Sequence, residues 1–316
     1  MPGYRPVAAG VEMLDGTGEA AWAPDLLVFD VDGVLIDTHA SYAAAVLAAV
    51  DWYARVCLGA GPAGLGPADV AAWKAAGGFN NDWHVAQGLC LYLTWRWRQG
   101  SWPGAASGAA AFAARVREVG GGLDAARGLC GDVEGSPWSP DAIARVCMER
   151  YAGEADARAM FGIEAQGAGP GLWRQETPLV SPQALAAWRG RAGVLTGRNT
   201  GEAELGLGAA GLGEILPATV RWTADSGAPK PDPAGLEHLV RLLAGRRVLF
   251  VGDTPDDAET ARRFQAAHPA SALAFAGVLG GAAGAAADAI FRGRRVEVIA
   301  QNTASLLAFL AAGHPR

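Results

Sequence analysis

The chain has 316 residues, 51% of them hydrophobic, which excludes a disordered protein and leaves room for one large domain or two ordinary ones. Its net charge of -6 and isoelectric point near 5.4 argue against a nucleic-acid partner held by phosphate contacts. We find no apolar run of 18 residues and no signal-peptide pattern, so we expect no membrane span and a cytoplasmic protein. The four cysteines lack CxxC spacing, and we expect them to be small buried residues in a reducing compartment.

The first part of the chain predicts an irregular N-terminal arm and then a buried strand. Residues 1–24 show no clear period, whereas residues 26–29 (LLVF) form a continuous apolar run typical of a strand in a parallel sheet. Asp30 and Asp32 follow directly, and side chains at i and i+2 of a strand share a face about 6.6 Å apart. We therefore expect two carboxylates at the carboxyl end of this strand, where open α/β sheets bind ligands. The alternative is a helix N-cap or a turn.

The long block from 39 to 178 predicts a helical domain. Apolar residues recur there at helical spacing between Gly- and Pro-rich linkers, and no alternating strand pattern occurs. The predicted helices cover residues 41–58, 67–76, 83–98, 108–119 and 139–152.

From residue 181 the pattern alternates between helices and strands. The predicted helices cover 182–189, 200–210, 233–244, 256–267 and 303–312, and the predicted strands 193–196, 219–223, 247–251 and 272–276. Such alternation predicts a doubly wound parallel sheet with helices on both faces. The predicted fold class is therefore α/β. Residues 25–38 and 179–316 form a Rossmann-like core, and residues 39–178 are an inserted, enlarged, all-helical domain.

Three further polar stretches follow predicted strands or lie between prolines. Thr196, Gly197 and Arg198 end the strand at 193–196, and Lys230 lies between Pro229 and Pro231. The stretch GDTPDD, residues 252–257, follows the strand at 247–251. In order, the chain reads Asp-x-Asp-Gly-x-x-x-Asp-Thr, Thr-Gly-Arg, Lys-Pro and Gly-Asp-x-x-x-Asp. This ordered set resembles the four motifs of the haloacid dehalogenase (HAD) superfamily. The helical insertion after the first motif resembles the cap of its subfamily IA.

The resemblance implies a phosphatase that forms an aspartyl-phosphate. It implies that Asp30 is the nucleophile and that Asp32 protonates the leaving oxygen and later activates water. It implies that Thr196 binds a phosphoryl oxygen and that Lys230 offsets the charge of nucleophile and phosphate. The expected substrate is a small phosphorylated metabolite.

The resemblance also implies a Mg²⁺ cofactor, which prefers oxygen ligands. The implied ligands are Asp30, the backbone carbonyl of Asp32, and Asp253. Asp257 either holds a metal-bound water or supports Lys230. The neighbouring Asp256 does not fit the family spacing, and we interpret it as an acid favoured by the dipole at a helix N-terminus.

Several positions carry two interpretations. Gly197 and Arg198 could contact the substrate, and the alternative for Arg198 is a surface residue at a helix start. Asn80 and Asn81 could reach the leaving group, or they could cap the helix that follows. The cap tryptophans could line a pocket or form the core of the helical domain. The aromatic and arginine residues at 94–99 (TWRWRQ) could lie on a solvated helix edge or join two copies in a homodimer.

Two other functions remain open on the same fold. The motif DVDGVLIDT also resembles the first motif of the phosphomutase branch, but the histidine that this branch implies is missing. His39 comes too early, and Tyr42 stands near the expected position. A non-catalytic binding module is the third alternative, and the presence of all four motifs argues against it. A phosphatase is therefore the preferred prediction.

Overall fold

The computed structural model describes residues 3–79, 81–102, 108–131, 133–165, 167–280 and 284–313. The chain forms two compact units. The α/β unit comprises Met1–His39 and Glu176–Arg316, and the helical unit comprises Ala40–Gln175. Our predicted boundaries, after residues 38 and 178, differ from these by one and three residues.

The α/β unit is built on a sheet of eight strands in its described residues, with a separate two-stranded pair. The strands are Tyr4–Ala8 (β1), Val11–Leu14 (β2), Leu26–Phe29 (β3), Ile36–Asp37 (β4), Thr177–Pro178 (β5), Ala192–Leu195 (β6), Arg221–Trp222 (β7), Arg247–Gly252 (β8), Ala272–Val278 (β9) and Val298–Ala300 (β10). The sheet order is β1-β2-β10-β9-β8-β3-β6-β7, and the six strands from β10 to β7 run parallel. The pair is antiparallel β4–β5.

Helices alternate with the parallel strands and fill the helical unit. The helical unit contains Ser41–Trp52 (α1), Pro67–Lys74 (α2), Asp82–Arg98 (α3), Ala109–Glu118 (α4), Gly122–Cys130 (α5) and Pro140–Phe161 (α6). The α/β unit contains Pro182–Leu185 (α7), Thr200–Ala209 (α8), Ala234–Leu242 (α9), Pro255–Ala267 (α10), Gly284–Arg294 (α11) and Thr303–Ala311 (α12). The predicted α/β class, with a mostly parallel sheet and a helical insertion, is confirmed.

The central strand β3 is buried on both faces. Leu27 and Phe29 belong to one apolar core, and Leu26 and Val28 belong to the other. Successive side chains of a strand point to opposite faces, so a continuous apolar run fits a strand between two helical layers. This strand holds the first motif at the middle of the sheet.

The prediction of an irregular N-terminal arm is wrong. β1 and β2 form a hairpin, and β2 pairs antiparallel with β10 at the edge of the sheet. Val11 and Met13 alternate along β2 and are buried. The sequence signal was weak because this alternation covers one four-residue strand, and its partner β10 lies at the far end of the chain.

The helical unit has an aromatic core. Trp73 is fully buried among Phe79, Tyr92 and Phe112, with ring centroids 5.5 to 6.5 Å apart. Trp83 is also buried, whereas Trp97 is 41% exposed. These contacts favour the core interpretation of the cap tryptophans.

The expected burial of the cysteines holds for two of the four. All four cysteines are free thiols, and Cys90 and Cys147 are buried. Among the helices in the described part of the chain, none has both the length and the apolar character needed to cross a membrane.

Candidate active site

Three motif residues follow the carboxyl ends of neighbouring parallel strands. Phe29 of β3 is in register with Val194 of β6 and with Val251 of β8. Asp30 is the next residue after β3, and its amide donates to the Val251 carbonyl at 2.9 Å. Thr196 and Asp253 follow β6 and β8 in the same way. The sheet register therefore brings three of the predicted site residues to one edge.

A cluster of carboxylates surrounds the Lys230 ammonium at this edge. Asp30, Asp253 and Asp257 are buried, and one carboxylate oxygen of each lies within 4.8 Å of the others. Lys230 Nζ lies 2.9 Å from Asp30 Oδ2 and 2.7 Å from Asp257 Oδ1. The structure thus gathers four of the predicted residues into one ionic cluster.

The start of helix α10 fixes the side chain of Asp257. Thr254 is the N-cap, and Asp257 is the third helical residue. The Thr254 hydroxyl donates to Asp257 Oδ2 at 2.6 Å, and the Thr254 amide donates to the same oxygen at 3.0 Å. A Cβ on Gly252 would overlap the Asp257 side chain, so this close approach requires glycine there. Together with the contact to Lys230, this favours the support of Lys230 among the two roles that the sequence left open for Asp257.

Burial and charge shift the pKa values of the cluster. Burial raises the pKa of Asp30 to about 7, although Lys230 opposes the shift. Burial also raises the pKa of Asp253 well above its usual value, and the charges of Asp30 and Asp257 add to this. Burial alone would lower the pKa of Lys230, but the carboxylates of Asp257 and Asp30 outweigh it and raise that pKa.

The cluster has the features of a site for a hard cation. Asp253 Oδ1 is buried and has no hydrogen-bond partner in the described structure, an arrangement that is costly without a further ligand. Asp30 and Asp257 contact the one ammonium and Asp253 lies beside them, so the formal charge of the cluster is negative. Carboxylate oxygens are the ligands that Mg²⁺ prefers. The residues present therefore fit the predicted metal.

Asp32 is held by a buried arginine. Arg198 Nε and one terminal nitrogen (Nη2) both donate to Asp32 Oδ1, at 2.9 and 2.7 Å. The same terminal nitrogen donates to Glu176 Oε2 at 2.8 Å. Arg198 is only 2% exposed, so the alternative of a surface arginine is wrong.

Glu176 was not singled out from the sequence. It stands in the linker after the helical unit, outside every motif, and no local pattern marks it. Its side chain is 4% exposed, and its contact with Arg198 spans 22 residues of chain. A buried arginine needs a counter-charge, which is the one hint that points to a residue such as Glu176. This hint can be used only when Arg198 is known to be buried.

The remaining predicted residues lie in different surroundings. Gly197 is exposed, and no atom lies within 4 Å of where its Cβ would be. Asn81 caps α3 in the helical unit, where its side chain accepts a bond from the Trp83 amide at 2.8 Å. Asn80 lies outside the described residues. Substrate contacts by Gly197, Asn80 and Asn81 stay predictions.

The sheet and the ionic cluster together define an α/β protein with a carboxylate-rich site at the ends of its parallel strands. Residues 148–265 match a family model described as haloacid dehalogenase-like hydrolase. This match confirms the predicted resemblance to the HAD superfamily and the prediction of an enzyme. The matched segment contains Thr196, Lys230, Asp253 and Asp257, and the first motif precedes it.

Solved structures give the same fold. The chain is similar to phosphatase Tt82 from Thermococcus thioreducens, with 26% identity over 79% of this chain and 90% of that one and a TM-score of 0.57. A structural genomics target, ZR25, has 16% identity over 91% and 98% of the two chains and a TM-score of 0.61. A predicted phosphoglycolate phosphatase from Haemophilus somnus has 17% identity over 90% and 96% and a TM-score of 0.52. The last two show the fold alone. A comparison with curated proteins found no match.

Proposed function

We propose that the protein is a Mg²⁺-dependent phosphatase that hydrolyses a small phosphorylated metabolite through an aspartyl-phosphate. The observation that carries this proposal is the buried Asp30 beside Lys230, Asp253 and Asp257 at the carboxyl end of the sheet. The family match and the similarity to a Thermococcus phosphatase support the coarser assignment, a phosphatase of the HAD type.

The first half-reaction transfers the phosphoryl group to Asp30. An Asp30 carboxylate oxygen attacks phosphorus, the bond from phosphorus to the leaving oxygen breaks, and Asp32 gives its proton to that oxygen. In the second half-reaction, Asp32 takes a proton from water as the water oxygen attacks phosphorus. The bond from phosphorus to Asp30 then breaks, which releases inorganic phosphate and restores both aspartates.

Two further residues would bind and neutralise the phosphoryl group. The Lys230 ammonium, 2.9 Å from Asp30, would offset the negative charge of nucleophile and phosphate. The Thr196 hydroxyl accepts a bond from the Arg198 amide at 3.2 Å, so its own hydrogen can point to a phosphoryl oxygen. Mg²⁺, held by Asp30, the Asp32 carbonyl and Asp253, would supply positive charge to the phosphoryl oxygens.

Metal binding can be tested by stability as well as by activity. We expect Mg²⁺ to stabilise the wild type by about 2.7 kcal/mol at a hundredfold excess over Kd, because it binds the folded carboxylate cluster, and to raise the melting temperature accordingly. Asp253→Asn should lose most of this shift. Asp256→Asn, in the first turn of α10 and outside the cluster, should retain it. An equal Mg²⁺ shift in wild type and Asp253→Asn would place the metal elsewhere.

The function is tested by phosphate release from a panel of phosphorylated metabolites, in Mg²⁺ and in EDTA. We expect turnover of at least one small phosphate monoester, and loss of that turnover in EDTA. Phosphate release that persists in EDTA would contradict the Mg²⁺ requirement. Intramolecular phosphoryl transfer on a sugar phosphate without release of phosphate would instead identify a mutase. Binding without turnover would favour a binding module. A cytoplasmic location and a homodimer stay predictions.

A further inference from the structure

The buried network around Arg198 is not explained by the implied roles of the four motifs. The sequence suggested Arg198 as a substrate contact, but its guanidinium instead joins Asp32 to Glu176. The network is exposed only at its Asp32 end. The side chains of Arg198 and Glu176 are 1% and 4% exposed, and that of Asp32 is 35% exposed. The network therefore runs from the interior of the α/β unit to the carboxylate that the proposed function uses as acid and base.

We propose that Arg198 and Glu176 are positioning residues that fix the Asp32 carboxylate for proton transfer to the leaving oxygen. This inference rests on the proposed function. It assigns the two residues no contact with substrate, and it replaces the predicted substrate contact of Arg198.

The hydrogen bonds favour a fixed orientation of Asp32. Both bonds from Arg198 end on Oδ1, one from Nε and one from a terminal nitrogen. A carboxyl group can carry its proton on Oδ2 while Oδ1 keeps both bonds, so proton transfer need not disturb the arginine. The Arg198 amide also donates to Thr196 Oγ1, which ties the acid and the phosphoryl-binding hydroxyl to one residue.

Glu176 and helix α8 hold the guanidinium in place. Glu176 accepts from the terminal nitrogen that also reaches Asp32, so the two carboxylates fix the plane of the guanidinium. The other terminal nitrogen (Nη1) donates to the Glu202 carbonyl at 3.4 Å and packs against Gly206. A Cβ at Gly206 would overlap this nitrogen. Gly206 is thus a site where a single methyl group can move Arg198 without removing any charge.

The leaving group separates positioning of an acid from general support of the fold. A para-nitrophenolate leaves readily without a proton, whereas a phenolate of similar shape depends much more on one. Loss of positioning should therefore lower kcat/KM for phenyl phosphate, which reports the first half-reaction, about ten- to a hundredfold, since small displacements of catalytic groups have effects of this size. The kcat/KM for para-nitrophenyl phosphate should fall much less.

The experiment compares Arg198→Lys, Glu176→Gln and Gly206→Ala with the wild type on these two substrates. Arg198→Lys keeps the charge but loses the planar fork that contacts both carboxylates. Gly208→Ala is the matched control, because Gly208 lies one half-turn further along α8 with no atom within 4 Å of a Cβ. We expect the three variants to show the selective loss for phenyl phosphate and Gly208→Ala to match the wild type. If Arg198→Lys and Glu176→Gln do not fold, Gly206→Ala alone can test the inference.

A double-mutant cycle connects the effect to Asp32. Asp32→Asn should show the same selectivity for leaving groups in kcat/KM, and adding Arg198→Lys to it should lower kcat/KM no further. Equal losses of kcat/KM on both substrates, additive losses in the cycle, or no loss in Gly206→Ala would each overturn the inference. A wild type that releases phosphate from neither substrate nor any panel member would overturn the proposed function itself.

Discussion

Asp30→Asn is expected to reduce phosphate release to background, a loss of more than roughly 10⁴-fold in kcat, because an amide cannot replace the nucleophilic carboxylate. The variant should remain folded. Burial raises the pKa of Asp30 to about 7, so its ionised form is already disfavoured, and a neutral side chain of the same shape relieves repulsion with Asp257. Initial rates and the melting temperature should be measured on the same preparation.

Controls for this substitution address both chemistry and folding. Asp15→Asn changes a half-exposed aspartate in the N-terminal hairpin and should leave turnover unchanged. Mass spectrometry after acid quenching should find one phosphoryl group on the peptide containing Asp30 in the wild type and none on it in Asp30→Asn. Retained turnover in a folded Asp30→Asn protein would assign the nucleophile to another residue and refute the proposed mechanism.

The ends of the parallel strands could be predicted from sequence because local signals mark them. A buried strand reads as a continuous apolar run, and the residue after it lies at the ligand-binding edge of the sheet. This logic predicts Asp30 at that edge, and the resemblance to the HAD motifs adds Thr196 and Asp253. The register of β3, β6 and β8 brings the three to one edge. Spacing also distinguished Asp257 from Asp256, and the cap at Thr254 explains why Asp257 is the residue that contacts Lys230.

Contacts between distant parts of the chain could not be predicted in this way. Arg198 and Asp32 are 166 residues apart, and nothing in Thr-Gly-Arg shows that the arginine turns inward. The burial of Arg198 depends on Gly206, in the helix that directly follows it, and on Glu176, in a linker without a motif. The pairing of β2 with β10 has the same origin, since neither short strand has a strong pattern without the other. Sequence patterns describe the element that carries a side chain, whereas these features depend on which elements meet.

Lys230→Met is expected to destabilise the protein by about 3–5 kcal/mol, the range for breaking a buried ion pair by removing one partner. Lys230 is largely buried and lies between the carboxylates of Asp30 and Asp257, which would face each other without a cation. Arg158→Met is the control, because the side chains of Arg158 and of its ion-pair partner Glu164 are 83% and 73% exposed. A surface pair of this kind contributes at most about 1 kcal/mol. Urea unfolding in EDTA should separate the two variants clearly.

Because the destabilisation by Lys230→Met arises from the loss of a charge, it should depend on pH and on Mg²⁺. An aspartate whose pKa is raised in the folded state binds more protons there than when unfolded, so stability falls as pH rises through the window between the two pKa values. That window ends near pH 7 for Asp30 in the wild type and extends higher without Lys230, so the loss should grow as the pH rises above about 7. Mg²⁺ should restore part of the stability of Lys230→Met, because it supplies positive charge to the same carboxylates. A loss that is independent of both pH and Mg²⁺ would mean that Lys230 contributes packing rather than charge. The excess negative charge that supports the metal site would then need another explanation.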